Sequence, residues 1–101
     1  MGAKAGTDHL VRIAATEFGP RGIKVNSVSP AFTETPMTAG FLATPGVREA
    51  FEAEIPLGRL NTAEDVAATV LWLSSEDAYI TGENIHPSGG NRLRRLPILE
   101  L

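Results

Sequence analysis

Cysteine is absent from the 101 residues of this chain. The absence excludes a disulfide framework and a thiolate metal site, and it agrees with a reducing compartment. The chain also lacks any apolar run near the roughly 20 residues that span a bilayer. Its first residues have neither the basic start nor the apolar stretch of a signal peptide. We therefore expect a cytoplasmic protein without a membrane span.

Basic residues are also scarce, with nine Lys and Arg against 12 Asp and Glu. Arg92, Arg94 and Arg95 account for part of that number and lie close to the C-terminus. The rest of the chain has too few cations to follow a phosphate backbone, so nucleic-acid binding is not expected. Hydrophobic residues make up an ordinary 43%, and the length allows one small domain with one core.

Two helices are indicated by the spacing of apolar residues. The first covers residues 3–18 and is followed by a Gly-Pro pair that stops a helix; its apolar stripe consists of Leu10, Ile13, Ala14 and Phe18. The second covers residues 62–75, where Thr62 predicts an N-cap that pairs with Asp65 in a variant of the capping box. Each helix has an apolar face that needs a partner surface.

Two strands enclose an irregular, helical excursion. The β-branched residues of "GIKVNSVSP" predict a strand over residues 23–29, and residues 84–87 predict a short second strand that ends at a proline. Between them, residues 36–58 predict a helical flap in which Thr44 caps a short helix. This order is typical of a parallel strand pair with a crossover. Two such strands cover too little of the helices, which indicates part of a larger sheet.

Four stretches occur together in the order and at the spacings of one known family: "GAKAG", "GPRGIKVNSVSPAFTETPM", "PLGRLNTAEDVAATVLWLSSEDAYITGENI" and "SGG". As a set they resemble the short-chain dehydrogenase/reductase family over residues 2–90. The resemblance implies an α/β fold, in which residues 1–90 form the C-terminal part of a Rossmann-like, doubly wound parallel sheet with about two strands and three to four helices. Residues 91–101 would be a C-terminal tail.

Lys4 matches the lysine of that family's active-site motif, in which a tyrosine precedes the lysine by four residues. The resemblance implies that Lys4 holds the ribose hydroxyls of the nicotinamide and lowers the pKa of the tyrosine. The tyrosine position falls immediately before Met1, and the family's catalytic serine lies farther upstream. The alternative for Lys4 is a solvated lysine in the first turn of a helix.

The segment "SPAFTETPM" matches the family's Pro-Gly loop after the sixth strand, and open α/β sheets bind ligands beyond the carboxyl ends of their strands. The resemblance implies an NAD or NADP cofactor whose nicotinamide borders Pro30, Ala31, Phe32 and Thr33. The Thr33 backbone would meet its carboxamide, and Thr35 would offer a hydroxyl. Ala31 stands where glycine is usual. The alternative is a proline-punctuated loop with two solvated threonines.

The flap over residues 36–58 corresponds to the part of the family that covers the substrate. Met37, Phe41 and Leu42 would give it an apolar inner face for a lipophilic or alicyclic carbonyl or alcohol. They could equally form the flap's own small core, and both alternatives are open. No metal site is expected, because His9 and His86 have no partner at ligand spacing.

The resemblance implies a parent reaction that interconverts a secondary alcohol and a ketone, a small-molecule substrate, with NAD or NADP. Because the family's tyrosine, serine and dinucleotide-binding half fall outside the sequence, we expect the chain alone to be inactive. A rival hypothesis is a noncatalytic protein that forms homo-oligomers, since the family's counterparts of helices 3–18 and 62–75 contact a neighbouring subunit. A third is a gene fragment or a misplaced start codon.

Overall fold

The structure is a computed structural model that describes residues 2–91, with side chains from residue 5 onward. The predicted tail therefore lies outside the described residues from residue 92. The chain divides into two compact units. The first contains the residues up to Ser29 together with Ala68–Ile85, and the second contains Pro30–Ala67 together with the residues from His86 onward. Among the described helices, none is long and apolar enough to span a membrane.

Helix α1 of the first unit covers Gly2–Phe18 and ends before the Gly-Pro pair. A short 3-10 turn, Gly19–Arg21, follows it. The predicted apolar stripe is largely uncovered in the described part of the chain, since Leu10 is 66% exposed and Ile13 is 47% exposed. The small side chain of Ala15 is buried instead. The helix therefore has more apolar surface than its own unit covers.

Strand β1, Ser27–Val28, also belongs to the first unit and pairs in parallel with a strand at Asn84–Ile85. Ser27 lies opposite Asn84, and Val28 lies opposite Ile85. The predicted parallel pair is thus confirmed. Both strands are shorter than the predicted ranges of 23–29 and 84–87.

Side-chain hydrogen bonds explain why β1 is short at its start. Val25 N–H donates to Thr81 Oγ1 at 3.0 Å, and Asn26 Nδ2 donates to Ile80 O at 2.9 Å. Gly82 N–H in turn donates to Val25 O at 2.8 Å. Residues 25 and 26 therefore bond to a loop, and the regular ladder begins only at Ser27.

The second unit contains a strand pair that the sequence did not predict. Strand β2, Thr33–Glu34, pairs in parallel with β3, Asn61–Thr62, and the strand at Asn84–Ile85 is accordingly β4 in chain order. Both β2 and β3 consist of polar residues without alternation, so they carry no strand signal.

Two short helices form the flap of the second unit: α2, Ala39–Leu42, and α3, Val47–Ala53. The prediction that Thr44 caps the second of these was wrong. Gly46 occupies the N-cap with a φ of 83°, and no side chain caps the helix. The left-handed backbone at Gly46 separates the Thr-Pro turn from the helix, which places the helix start three residues after Thr44.

The core of the second unit lies among the flap residues and the segment that follows them. Its members, which are buried or packed against the buried cluster, are Leu42, Val47, Ile55, Leu60, Phe32 and Phe51. The "SGG" stretch packs closely against this segment, because a Cβ on Gly90 would lie 2.8 Å from Pro56 Cγ. Glycine at position 90 therefore allows the approach.

Helix α4 covers Ala63–Leu73. The predicted cap is confirmed, since Thr62 N–H donates to Asp65 Oδ2 at 2.9 Å and Asp65 N–H donates to Thr62 Oγ1 at 3.1 Å. The helix ends two residues before the predicted limit of 75. Lys24 Nζ there donates to Ser75 O and to Ala78 O, each at 2.6 Å, so a cation satisfies carbonyls beyond the helix end.

Candidate functional site

The loop after β1, residues 30–35, is fixed at Ala31 on both sides of the residue. Ala31 N–H donates to Pro87 O at 3.3 Å, and Thr33 Oγ1 donates to Ala31 O at 2.8 Å. No described residue other than glycine has a positive φ, so the alanine that replaces the related glycine carries no left-handed strain. The loop therefore tolerates Ala31 without a distorted backbone.

Asn61 forms hydrogen bonds to this loop and to Pro87. The sequence did not predict this role. Its side-chain nitrogen Nδ2 donates to Thr33 Oγ1 at 3.2 Å and to Pro87 O at 3.0 Å. Asn61 is only 8% exposed. Its position beside the Thr62 cap indicated a helix start and gave no sign of these partners, which are 28 and 26 residues away in sequence.

Thr35 and Thr38 bond to each other across a tight turn. Thr35 N–H donates to Thr38 Oγ1 at 2.9 Å, and Thr38 N–H donates to Thr35 Oγ1 at 3.3 Å. Thr38 Oγ1 also donates to Thr33 O at 3.0 Å. The predicted site hydroxyl of Thr35 is thus already an acceptor within the turn, and Thr38, which was not predicted, connects the turn to β2.

Glu34 of β2 forms a two-pronged ion pair with Arg48 of α3. Arg48 Nη2 donates to Glu34 Oε2 at 2.6 Å, and Nη1 donates to Oε1 at 3.2 Å. The hydrogen bonds from Arg48 hold the pKa of the Glu34 carboxyl below its ordinary value, and those to Glu34 raise the pKa of Arg48. The loop's only carboxylate is therefore ionised and already paired at neutral pH.

The three apolar residues predicted for the substrate face differ in how far their side chains are buried. Leu42 is 5% exposed and lies in the core, whereas Met37 is 93% exposed. Phe41 packs edge-on against Phe32 and Phe51, at centroid distances of 6.1 and 6.0 Å. Phe32 and Phe51 stack at 4.5 Å. The structure therefore places Leu42 within the flap, Phe41 in an aromatic cluster and Met37 at the surface.

The backbone of Lys4 lies in α1, but its side chain is outside the described residues. Its predicted role stays a prediction. Within the part of the chain that the structure describes, no group of three or more His, Cys, Asp or Glu residues could hold a metal ion.

Comparisons with known proteins agree with the family resemblance seen in the sequence. A family model described as enoyl-(acyl carrier protein) reductase matches residues 1–92. The 3β-hydroxysteroid dehydrogenase 1 of Eggerthella lenta is 41% identical over 90% of this chain and 35% of its own length. The 3-oxoacyl-(acyl-carrier-protein) reductase FabG of Aquifex aeolicus is 46% identical over 86% of this chain and 35% of its own length.

Solved structures agree with these relatives. A short-chain type dehydrogenase/reductase from Mycobacterium ulcerans has a TM-score of 0.83 at 34% identity, over 94% of this chain and 35% of that protein. This chain belongs to the short-chain dehydrogenase/reductase family. Another member, ElxO with NADP bound, has a TM-score of 0.80 at 28% identity, over 92% of this chain and 38% of that one. The expected α/β, partly Rossmann-like fold is confirmed.

This member of the short-chain dehydrogenase/reductase family spans about a third of the length of the curated relatives it matches. Its loop nevertheless fits the carboxamide of a nicotinamide cofactor, which both donates and accepts hydrogen bonds. Hydroxyls, amides and backbone groups make up the loop's polar surroundings, among them the side chains of Asn61 and Thr33. The charge of Glu34 is balanced by Arg48. Neutral donors and acceptors are the groups that a carboxamide requires.

Proposed function

We propose that this chain supplies the lysine helix and the nicotinamide-side loop of an NAD(P)-dependent oxidoreductase that interconverts a secondary alcohol and a ketone. The observation that carries the proposal is the loop of residues 30–35, which follows β1 and is held by Asn61 and Pro87. Ligands of open α/β sheets bind at such carboxyl ends of strands. Family membership agrees with this role.

The chain's own residues would bind and orient the reactants. NAD or NADP, when bound, gives or takes the hydride. Lys4 holds the ribose hydroxyls of the nicotinamide, and its charge stabilises the ionised form of a tyrosine one helical turn before it. Pro30, Ala31, Phe32 and Thr33 border the nicotinamide, and the Thr35 side of the loop completes that border.

The flap would cover a lipophilic substrate. Met37 is the exposed apolar residue at its start, and Phe41 is the partly exposed member of the aromatic cluster, so these two are the side chains available for contact. Leu42 lies in the buried core of the same unit. The absence of cysteine supports a cytoplasmic location. The partner in the proposed reaction would be a small-molecule alcohol or ketone.

The chain alone is expected to give no turnover. Purified chain is incubated with NADH or NADPH and a panel of ketones, and with NAD or NADP and the matching alcohols, while absorbance of the reduced nicotinamide is followed. Turnover above that of the heat-treated chain would contradict this part of the proposal.

A chimera tests the site itself. Residues 1–92 replace the matched segment of the Aquifex aeolicus FabG, which is 46% identical to this chain. We expect NADPH-dependent reduction of a 3-oxoacyl thioester, lost at least about a hundredfold in Lys4→Ala. Arg12→Ala, which removes an exposed cation elsewhere on the same helix, is the matched control. A folded chimera that binds NADPH and does not turn over, or an equally active Lys4→Ala variant, would contradict the proposal.

Self-association is the second candidate function, and one observation favours it. The helices named for a subunit contact both expose apolar side chains, with Leu10 on α1 and Leu71 and Trp72 on α4. A homo-oligomer formed through these helices would cover those side chains. This candidate is compatible with the first, since an oxidoreductase can also be an oligomer.

A further inference from the structure

Asn61 is a buried polar side chain that is not among the predicted site residues. It is 8% exposed, and a buried amide is costly unless its hydrogen bonds are made. We propose that Asn61 is a positioning residue that sets the geometry of the loop of residues 30–35. Its consequence for catalysis rests on the proposed function, whereas its effect on the loop concerns this chain alone.

The orientation of the Asn61 amide follows from its partners. A backbone carbonyl only accepts hydrogen bonds, so the group that lies 3.0 Å from Pro87 O must be the Asn61 nitrogen. That nitrogen has a second hydrogen, which it donates to Thr33 Oγ1 at 3.2 Å. Both N–H hydrogens of the Asn61 side chain are therefore used, one by Thr33 and the other by Pro87.

The bond to Thr33 continues into the loop. Thr33 Oγ1 accepts from Asn61 and donates its own hydrogen to Ala31 O at 2.8 Å. Such a chain of hydrogen bonds strengthens each member, because each donor polarises the next. Asn61 thereby determines which way the Thr33 hydroxyl points, and the hydroxyl restrains the carbonyl of Ala31.

The bond to Pro87 acts on the other side of Ala31. Pro87 O accepts both from Asn61 Nδ2 at 3.0 Å and from Ala31 N–H at 3.3 Å. A carbonyl oxygen has two lone pairs, and both are used here. One asparagine thus acts on the acceptor of the Ala31 N–H and on the donor to the Ala31 carbonyl.

This arrangement would matter for hydride transfer because small displacements of groups that orient a reactant are costly. Pro30 to Thr33 are the residues that the proposed function places beside the nicotinamide. If Asn61 holds these residues in place, its loss weakens the binding of the cofactor more than the binding of the carbonyl substrate.

Asn61→Asp is the test variant, since it keeps the shape of the side chain and removes both donors. Asn91→Asp is the matched control in the same unit, because Asn91 Nδ2 donates to a backbone carbonyl, Glu54 O, at 3.1 Å, away from the loop. Amide hydrogen exchange in the full chain is measured by NMR. We expect Ala31 N–H to exchange about tenfold faster in Asn61→Asp than in Asn91→Asp.

Equal exchange of Ala31 N–H in the two variants would overturn the positioning role. If Asn61→Asp does not fold, Thr33→Val takes its place, because it removes the middle member of the hydrogen-bond chain and keeps the side-chain shape. Faster exchange at Ala31 than in the wild-type chain then supports the role, and unchanged exchange overturns it.

The chimera gives the catalytic readout. Asn61→Asp is expected to raise the KM for NADPH about tenfold, with a smaller change in the KM for the 3-oxoacyl thioester, whereas Asn91→Asp leaves both unchanged. Equal rises in both KM values would show a general structural defect and overturn the role in cofactor positioning. If the parent chimera folds and binds NADPH but has no activity, the proposed function fails, and the exchange experiment still decides the effect of Asn61 on the loop.

Discussion

Asp65 shows how one carboxylate can serve two neighbours at the start of a helix. It accepts hydrogen bonds from the backbone N–H and the hydroxyl of Thr62, at 2.9 and 3.0 Å. Arg59 donates to both of its oxygens, at 2.6 and 2.9 Å. The bonds from Arg59 and then those from Thr62 hold the pKa of Asp65 well below its ordinary value. The start of α4 is therefore most stable when this carboxyl is ionised.

Asp65→Asn is expected to lower the urea midpoint of unfolding at about pH 7, because the charged bonds to Arg59 are lost. The folded-state pKa lies below the ordinary value of 3.8, so the stabilisation is present above 3.8 and disappears as the pH falls through the folded pKa. The difference between the urea midpoints of Asp65→Asn and the wild type should therefore become smaller as the pH falls below 3.8. Glu64→Gln, at the neighbouring exposed carboxylate, is the control. A gap that is absent at about pH 7, or constant on acidification, would disagree with this account.

Helix α3 is preceded by a glycine at its N-cap, and the backbone there explains why. Gly46 has a φ of 83°, and a Cβ at this position would meet nothing within 4 Å. Any penalty for a side chain therefore comes from the backbone conformation and not from a clash. Gly40 in α2 also has open space around it, but its φ is not positive.

Gly46→Ala and Gly40→Ala are expected to change stability in opposite directions. Alanine at position 46 should lower the free energy of unfolding by about 1 kcal/mol, the cost of a left-handed residue with a Cβ. Alanine at position 40 should raise it by about 0.5 kcal/mol through a less flexible unfolded chain. Urea unfolding followed by circular dichroism measures both. Two changes of the same sign would contradict the assignment.

The Glu34–Arg48 pair connects β2 to α3 within the second unit. Because both side chains are partly exposed, its contribution is small and sensitive to salt. We expect Glu34→Gln to speed amide exchange in α3 by a few-fold at low ionic strength, and less at high ionic strength. Glu76→Gln, at an exposed carboxylate of the first unit and outside α3, is the control. An effect of Glu34→Gln that is independent of salt would contradict the ion-pair interpretation.

Elements set by neighbours in sequence could be predicted, and those set by distant partners could not. The Thr62–Asp65 cap lies within one helical turn, and the parallel pairing of β1 with β4 follows from the order of the elements. The pairing of β2 with β3 was invisible because two-residue polar strands are stabilised by bonds between segments 28 residues apart.

The candidate site divides in the same way. The loop of residues 30–35 was predicted as a site from its resemblance to the family's loop, but the residue that holds it was not predicted. Asn61 is distinguished from a solvated asparagine by its hydrogen bonds to Thr33 and Pro87. Neither residue is near Asn61 in the sequence. Leu42 and Met37 carry the same hydrophobic signal, although packing buries one and exposes the other. Burial depends on the folded chain, so residue type alone does not separate them.

The whole molecule leaves many large apolar side chains uncovered. They lie on α1, on α4 and in loops, and include Leu10, Ile13, Leu57, Leu71 and Trp72. Scattered apolar residues are normal on a protein surface, whereas apolar side chains that recur on one helix indicate a contact surface. Three large apolar side chains of α4 are exposed, namely Val70, Leu71 and Trp72. This helix is therefore where association is expected first.

Leu71→Glu should increase the monomer fraction of the chain, because a charge at the centre of an apolar contact is buried at a cost. Leu57→Glu is a close control, since Leu57 is 75% exposed and Leu71 is 72% exposed, but Leu57 lies outside the helices. Sedimentation velocity over a range of chain concentrations measures the monomer fraction for both variants. A dissociation constant at least about tenfold weaker for Leu71→Glu alone would support association through α4, because that factor corresponds to about 1.4 kcal/mol of lost contact. Equal weakening by both variants would instead assign the association to nonspecific apolar contact, and no weakening by either would place it away from α4.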